Sequence, residues 1–334
     1  MPECRCRKCG KQFDAPLKAK HRLLCGNARS REDVERLLAG AKAHVVITSP
    51  PYASQRKYDE SSDFRPIPPD QYVEWFRDVA ANITKVLAPG GSFFLNVKEH
   101  ADDGQRSLYV KDLTLAHVRQ WGWRFVDELC WRKTDNGVPG WPNRFKNAWE
   151  PVFHFTRDEA IKFNADAVSH QSDACFEYSP DNPKSTSGSG LLGSGKRGGM
   201  AAEQSAIGAA MRKTRQSDEQ GRFTGLARPS NVIEAKSESG QGAHSAPFPR
   251  ALVEFFVKAY SDPGDSVFDC FMGSGTSMAA AHVLGRSGYG CEISPAYCDV
   301  IVRRMINLGV GSVVLESTGQ SFDEVAIERT GVPA

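Results

Sequence analysis

Short, unbroken apolar runs alternate with stretches of helical period along this chain, and that alternation leaves few folds open. Residues 44–48 (HVVIT) read as a buried strand. Residues 69–88 follow, with Trp75, Phe76, Val79, Ile83 and Leu87 at roughly helical spacing, and Pro89-Gly90-Gly91 closes that helix before a second strand at 92–97. A helix at about 108–120 leads into strands at 123–131 and 151–156. The pattern resumes far downstream as helix 248–260, strand 266–271, an Ala-rich helix 277–284, strand 288–293 and helix 295–307. Ser30 and Gly40 bracket one further short helix. Strands without polar alternation are covered on both faces, and helical crossovers make neighbouring strands parallel. The expectation is an α/β fold with a doubly wound, mostly parallel sheet. With 334 residues, 40% of them hydrophobic, the chain can fill one large domain and a small appendage.

Between the two ordered halves, residues 165–243 are rich in Ser, Gly, Gln, Lys and Arg and show few periodic apolar positions. A core could hardly use so long a polar stretch, so it reads as an insertion. Its Lys196, Arg197, Arg212, Lys213 and Arg215 suit a DNA-facing role. The net charge of +2 does not announce a nucleic-acid binder, but residues 5–31 carry nine Lys and Arg against Asp14 alone. Four of the nine cysteines lie within the first 25 residues. That clustering and the odd number favour metal ligands and buried thiols in a reducing, cytoplasmic compartment. No apolar run approaches a membrane span, so no membrane partner is expected. Cys6-x2-Cys9-x11-His21-x3-Cys25 has the spacing of metal ligands, with Phe13 as the aromatic of a small core. It resembles a CCHC-type finger holding one structural zinc, with Cys4 as a substitute ligand. Cys270 and Cys291, in or beside strands, read as packed thiols.

Two turns carry the chemistry. Ser49-Pro50-Pro51-Tyr52 follows an apolar strand, and the carboxyl ends of strands are where open α/β sheets place a ligand crevice. Two prolines remove two N–H donors, Ser49 adds a hydroxyl acceptor, and Tyr52 adds an aromatic face. Such a site suits a planar base bearing an amino group. The alternative at this point is an ordinary Pro-Pro turn. The second turn is Phe268-Asp269-Cys270-Phe271-Met272-Gly273-Ser274-Gly275-Thr276, whose glycines let backbone approach a ligand at the start of a helix. Glu292 closes the next strand, where a carboxylate can bind ribose hydroxyls. The spacing is not that of a dinucleotide fingerprint.

Together these motifs resemble the beta group of DNA amino-methyltransferases, in which S/D-P-P-Y precedes F-x-G-x-G. The segment His244-Ser245-Ala246-Pro247-Phe248-Pro249 and the stretch 143–152 add to the likeness, which covers roughly residues 35–310 apart from the insertion. The resemblance implies a circularly permuted, seven-stranded S-adenosylmethionine-dependent methyltransferase domain with a small N-terminal zinc finger. The expected layout is a finger at 1–28, a catalytic half at 29–164, a target-recognition insertion at 165–243, a cofactor half at 244–320 and a tail at 321–334. It further implies Ser49, Pro50, Pro51 and Tyr52 as catalytic residues. Phe248, Asp269, Phe271, Gly273, Ser274, Gly275, Thr276 and Glu292 would bind the cofactor, and Cys6, Cys9, His21 and Cys25 the zinc. The substrate would be double-stranded DNA. A cognate restriction endonuclease would be a partner, or none for an orphan or phage enzyme. Ser first in the motif points to cytosine N4, with adenine N6 as the alternative, because Asp or Asn first leans to adenine. No Pro-Cys dipeptide occurs, so the covalent route to a cytosine ring carbon lacks its nucleophile. More distant readings are an RNA methyltransferase, in which the cofactor motif usually comes first, and a zinc-finger DNA-binding protein with a decayed core.

Overall fold

The computed structural model describes residues 19–53, 64–99, 101–102, 104–135, 145–171, 226–237 and 248–333. Within them the alternation becomes an eight-stranded mixed sheet. In chain order the strands are β1 (Arg22–Cys25), β2 (Ala43–Thr48), β3 (Leu87–Asn96), β4 (Arg124–Lys133), β5 (Trp149–Thr156), β6 (Val232–Ala235), β7 (Ser266–Asp269) and β8 (Ser287–Glu292). In space they run β1-β8-β7-β2-β3-β5-β4-β6. All neighbours are parallel except β5, which is antiparallel to both β3 and β4. The helices are α1 (Arg31–Leu38), α2 (Tyr72–Val86), α3 (Tyr109–Arg119), α4 (Arg250–Tyr260), α5 (Thr276–Val283), α6 (Pro295–Asn307) and α7 (Phe322–Thr330). Strands from the two ends of the sequence meet at the centre, where β7 lies beside β2.

Strand periodicity explains the double covering. Val46, Phe93, Leu95, Phe153, Phe155 and Phe268 point to one face and pack with Val34, Leu37, Phe76, Val79, Ile83 and Leu113 of α1, α2 and α3. Val45, Ile47, Phe94 and Val152 point to the other face, against Leu252, Val253, Phe256 and Val257 of α4 and Ala280 of α5. Each such side chain removed from water contributes about 1.5–3 kcal/mol, which ties both helical layers to one sheet. Ser30 caps α1 by accepting the Asp33 N–H, and Ala39 and Gly40 end the helix with positive φ.

The expectations fail mainly at the edges. The sheet has eight strands rather than seven, and β1 is built from residues assigned to the finger. β1 pairs in parallel with β8, from Arg22 opposite Tyr289 to Cys25 opposite Glu292. His21 Nδ1 accepts the Gly288 N–H at 3.0 Å, and its Nε2 meets His282 Nδ1 at 3.1 Å. Both ring nitrogens are therefore engaged. Burial, then the neighbouring His282, lowers the His21 pKa to about 4. Along an extended strand His21 and Cys25 lie roughly 13 Å apart, whereas donor atoms sharing one zinc lie within about 4 Å of each other. The four-ligand zinc site and the finger as drawn do not survive. Cys4, Cys6, Cys9 and Phe13 lie outside the described residues. Among the described residues, no group of three or more His, Cys, Asp or Glu is placed to hold a metal.

β6 falls inside the range assigned to the insertion, and Trp131 Nε1 donates to Ala235 O at 3.1 Å to fasten it. Four residues are too few to show a period. α7 lies in the expected tail and starts with a capping box of Ser321 and Glu324, a signal visible as S-x-x-E. The segment Asn164–Ser230 forms a separate unit. Its described parts are a 3-10 turn at Ala165–Val168 and a two-residue ribbon of His170–Gln171 with Leu226–Ala227. The five basic residues singled out between 196 and 215 lie outside the described residues. No described helix is long and apolar enough to cross a membrane.

Candidate active site

β2 and β7 pair through Val45–Val267 and Val46–Phe268, so their carboxyl ends and the two motif turns open side by side. One carboxylate joins them. Thr48 Oγ1 donates to Asp269 Oδ1 at 2.6 Å, Ser277 Oγ donates to Oδ2 at 2.5 Å, and the Phe271 N–H donates to Oδ1 at 3.0 Å. Asp269 is 1% exposed, and burial lifts its pKa to about 6 against the pull of these donors. Its oxygens are thus directed at its own loops, which makes it the positioning residue of the crevice. Cys270 and Cys291 are buried, and burial raises both thiols.

The turn at 49–52 is anchored from beneath. Tyr72 of α2, fully buried among Trp75, Phe76 and Tyr109, donates its hydroxyl to Pro51 O at 2.7 Å. One of the two proline carbonyls is therefore engaged in holding the turn. Pro50 is buried, while Ser49 and Tyr52 are half-buried. The Tyr52 hydroxyl faces Glu150 Oε2 at 3.2 Å and Asn96 Oδ1 at 3.4 Å. Glu150 Oε1 in turn accepts from Lys98 at 3.1 Å and Lys133 at 2.7 Å. Sequence reasoning missed Tyr72, Asn96, Lys98, Lys133 and Glu150. The available signal was ionisable or amide side chains at the ends of strands otherwise buried.

On the other side, Gly273 and Gly275 have φ of +55° and +82°. The Gly273 N–H donates to Glu292 Oε2 at 2.7 Å, and the Ser294 N–H to Oε1 at 2.9 Å. Burial raises the Glu292 pKa against the pull of the Ser294, Gly273 and Ile293 backbone N–H groups. Arg304 Nη1 holds the loop at Ser274 O (3.1 Å) and Thr276 Oγ1 (3.2 Å). Phe271 stacks on Trp75 at 5.6 Å. Phe248 is buried in the core with α4. A Cβ on Gly275 would meet Ile301 Cγ1 and Cγ2 at 3.1 Å. Gly275 thus serves close packing against α6 and a left-handed backbone. Gly275→Val should therefore lower the melting temperature as well as cofactor affinity, contrary to a clean loss of binding. A thermal melt matching that of the unaltered protein would remove this account.

The sequence model of a DNA methylase family matches residues 43–303. The Type II methyltransferase M.PvuII of Proteus hauseri is 26% identical over 281 residues, covering 79% of this chain and 78% of that protein. The Type II methyltransferase M1.MboII of Moraxella bovis is 26% identical over 263 residues, covering 76% of this chain and 86% of its own. Among solved structures, a PvuII DNA methyltransferase described as cytosine-N4-specific matches with a TM-score of 0.58 at 20% identity. That match covers 89% of this chain and 90% of the other, and it is a likeness of fold.

Proposed function

This chain belongs to the DNA methylase family, whose model spans residues 43–303, and on that premise we propose that it methylates an exocyclic amino nitrogen in double-stranded DNA, cytosine N4, using S-adenosylmethionine. The observation that carries the reading is the 2.6 Å bond from Thr48 to Asp269, which locks the acceptor-rich turn beside the glycine turn. The residues present fit the cofactor. The Glu292 carboxylate accepts the Gly273 N–H on Oε2 and the Ser294 N–H on Oε1, and two carboxylate oxygens with about four lone-pair sites keep capacity for a ribose hydroxyl. When bound, the cofactor supplies a methyl group on a sulfonium, open to direct displacement by nitrogen.

The protein's part is to prepare the amine. The amino lone pair of cytosine is delocalised into the ring and attacks poorly. Ser49 Oγ and the Pro50 carbonyl accept the amino hydrogens, which favours a pyramidal nitrogen and stabilises the positive charge that builds on it. Tyr52 stacks on a base drawn out of the helix, at a cost of a few kcal/mol for unpairing. The stretch between the two halves, including the unit Asn164–Ser230, is assigned to target recognition. The Type II names of the relatives support a restriction–modification setting with a cognate endonuclease as partner.

Expression in a methylation-free host, followed by mass spectrometry of digested DNA, should find N4-methylcytosine. N6-methyladenine alone would move the base and keep the mechanism. Methyl only on the cytosine ring carbon would sink both. Tyr52→Ala should lose about 10–100-fold in turnover on DNA, because base–aromatic stacking contributes about 1–3 kcal/mol.

A further inference from the structure

The clearest unassigned feature is the charged cluster beneath Tyr52. Glu150 begins the buried part of β5 and is 7% exposed. One of its oxygens accepts from both Lys98, just past β3, and Lys133, at the end of β4; the other faces the Tyr52 hydroxyl. Burial alone would raise this carboxyl, but the two lysines outweigh it and hold the pKa below the usual range. A buried ion cluster adds little net stability, because desolvating its members costs about what their attraction returns. What it does supply is direction. Asn96, the second group facing the Tyr52 hydroxyl, is itself fixed by its Nδ2 donating to Pro151 O at 2.9 Å. The Tyr52 ring is therefore held at one end by the proline turn and at the other by acceptors rooted in two strands.

We propose that Glu150, clamped between Lys98 and Lys133, is a positioning residue that sets the plane of the Tyr52 ring through its hydroxyl for receipt of an extruded base. The inference rests on the proposed methyl transfer to DNA. It separates two jobs within one side chain: the ring face meets the base, and the hydroxyl aims the ring. Loss of the charge on Glu150 leaves two partly buried lysines in mutual repulsion and the hydroxyl without its charged acceptor.

The test is a double-mutant cycle with Glu150→Gln, Tyr52→Phe and the double variant. It measures tritium transfer from labelled S-adenosylmethionine to unmodified plasmid DNA, with cofactor affinity by calorimetry. Each single variant should lose about ten-fold in kcat/KM for DNA, with cofactor affinity within about two-fold of the unaltered protein. The double variant should be no worse than the weaker single one, because both changes break the same contact. Multiplying losses, near 100-fold for the double variant, would overturn the proposal, as would a loss confined to cofactor affinity. Should Glu150→Gln fail to fold, Tyr52→Phe keeps the whole ion cluster, and undiminished transfer by it would overturn the proposal on its own. The unaltered chain separates the two levels of claim. If it transfers nothing to DNA, the proposed function falls and this inference with it. If it transfers normally and the variants match it, the inference alone falls.

Discussion

Asp269→Ala should collapse both motif turns at once, lowering stability by several kcal/mol and cofactor affinity by about 100-fold or more. The carboxylate accepts from the hydroxyls of Thr48 and Ser277 and from the Phe271 N–H in a fully buried setting. Deleting it strands three donors, each costing about 1–3 kcal/mol when left without a partner. It also removes the carboxylate that bridges Thr48 at the end of β2 to the loop after β7. Asp269→Asn should be milder, since it keeps an acceptor oxygen and is neutral, and burial already resists ionisation at this position. Chemical denaturation and calorimetry with S-adenosylmethionine measure the two effects. An alanine variant with unaltered stability and affinity would refute the bridging role.

Acidification should produce the second large effect. His117 is buried among Phe76, Phe93, Trp121, Trp123 and Phe155, and burial lowers its pKa to about 4. His154, stacked on Phe94 and bonded to Ser92 Oγ at 3.0 Å, is lowered by burial to about 3. The unfolded chain takes up these protons near pH 6.5, so the stabilisation is complete above that value and is lost as pH falls toward the folded values. Between pH 6.5 and 4.5 each histidine should give up about 2 kcal/mol. Asp269 works the other way. Its raised pKa gives stability that is full below about 3.9 and lost as pH rises through about 6, so acidification returns about 2 kcal/mol. These three groups together should lose about 2–3 kcal/mol on going from pH 6.5 to 4.5, and His21, also lowered to about 4, adds about 2 kcal/mol to that loss. Denaturant melts at the two values measure it, and His154→Gln should flatten the slope. Equal stability at both pH values would show that these rings are not held neutral.

Much of the interior was legible in the residue order because it is local. A strand such as 44–48 declares itself by unbroken apolarity, and α2 by its period. The turns at 49–52 and 271–276 are recognisable because proline and glycine restrict or free the backbone at their own positions. How Phe248 packs was not legible in this way: it lies in the core with α4, and a motif names a place in the chain and not the direction of a side chain. The Cys/His spacing of 6–25 misled for a related reason. Ligand spacing is a pattern along the chain, and it does not record that 22–25 can pair with a strand some 270 residues away.

The sequence alone determined the order of the central strands and helices, the polar interruption and the two chemically distinctive turns, because each depends on φ restriction, apolar period or composition within a few residues. Only the tertiary structure decided that the two turns share one carboxylate and that His21 closes a sheet edge. It also brought Asn96, Lys98, Lys133 and Glu150, from three strands and their ends, together at the Tyr52 hydroxyl. Contacts between distant segments are selected by the burial and hydrogen-bond satisfaction of the whole sheet, and no local stretch of residues encodes that balance.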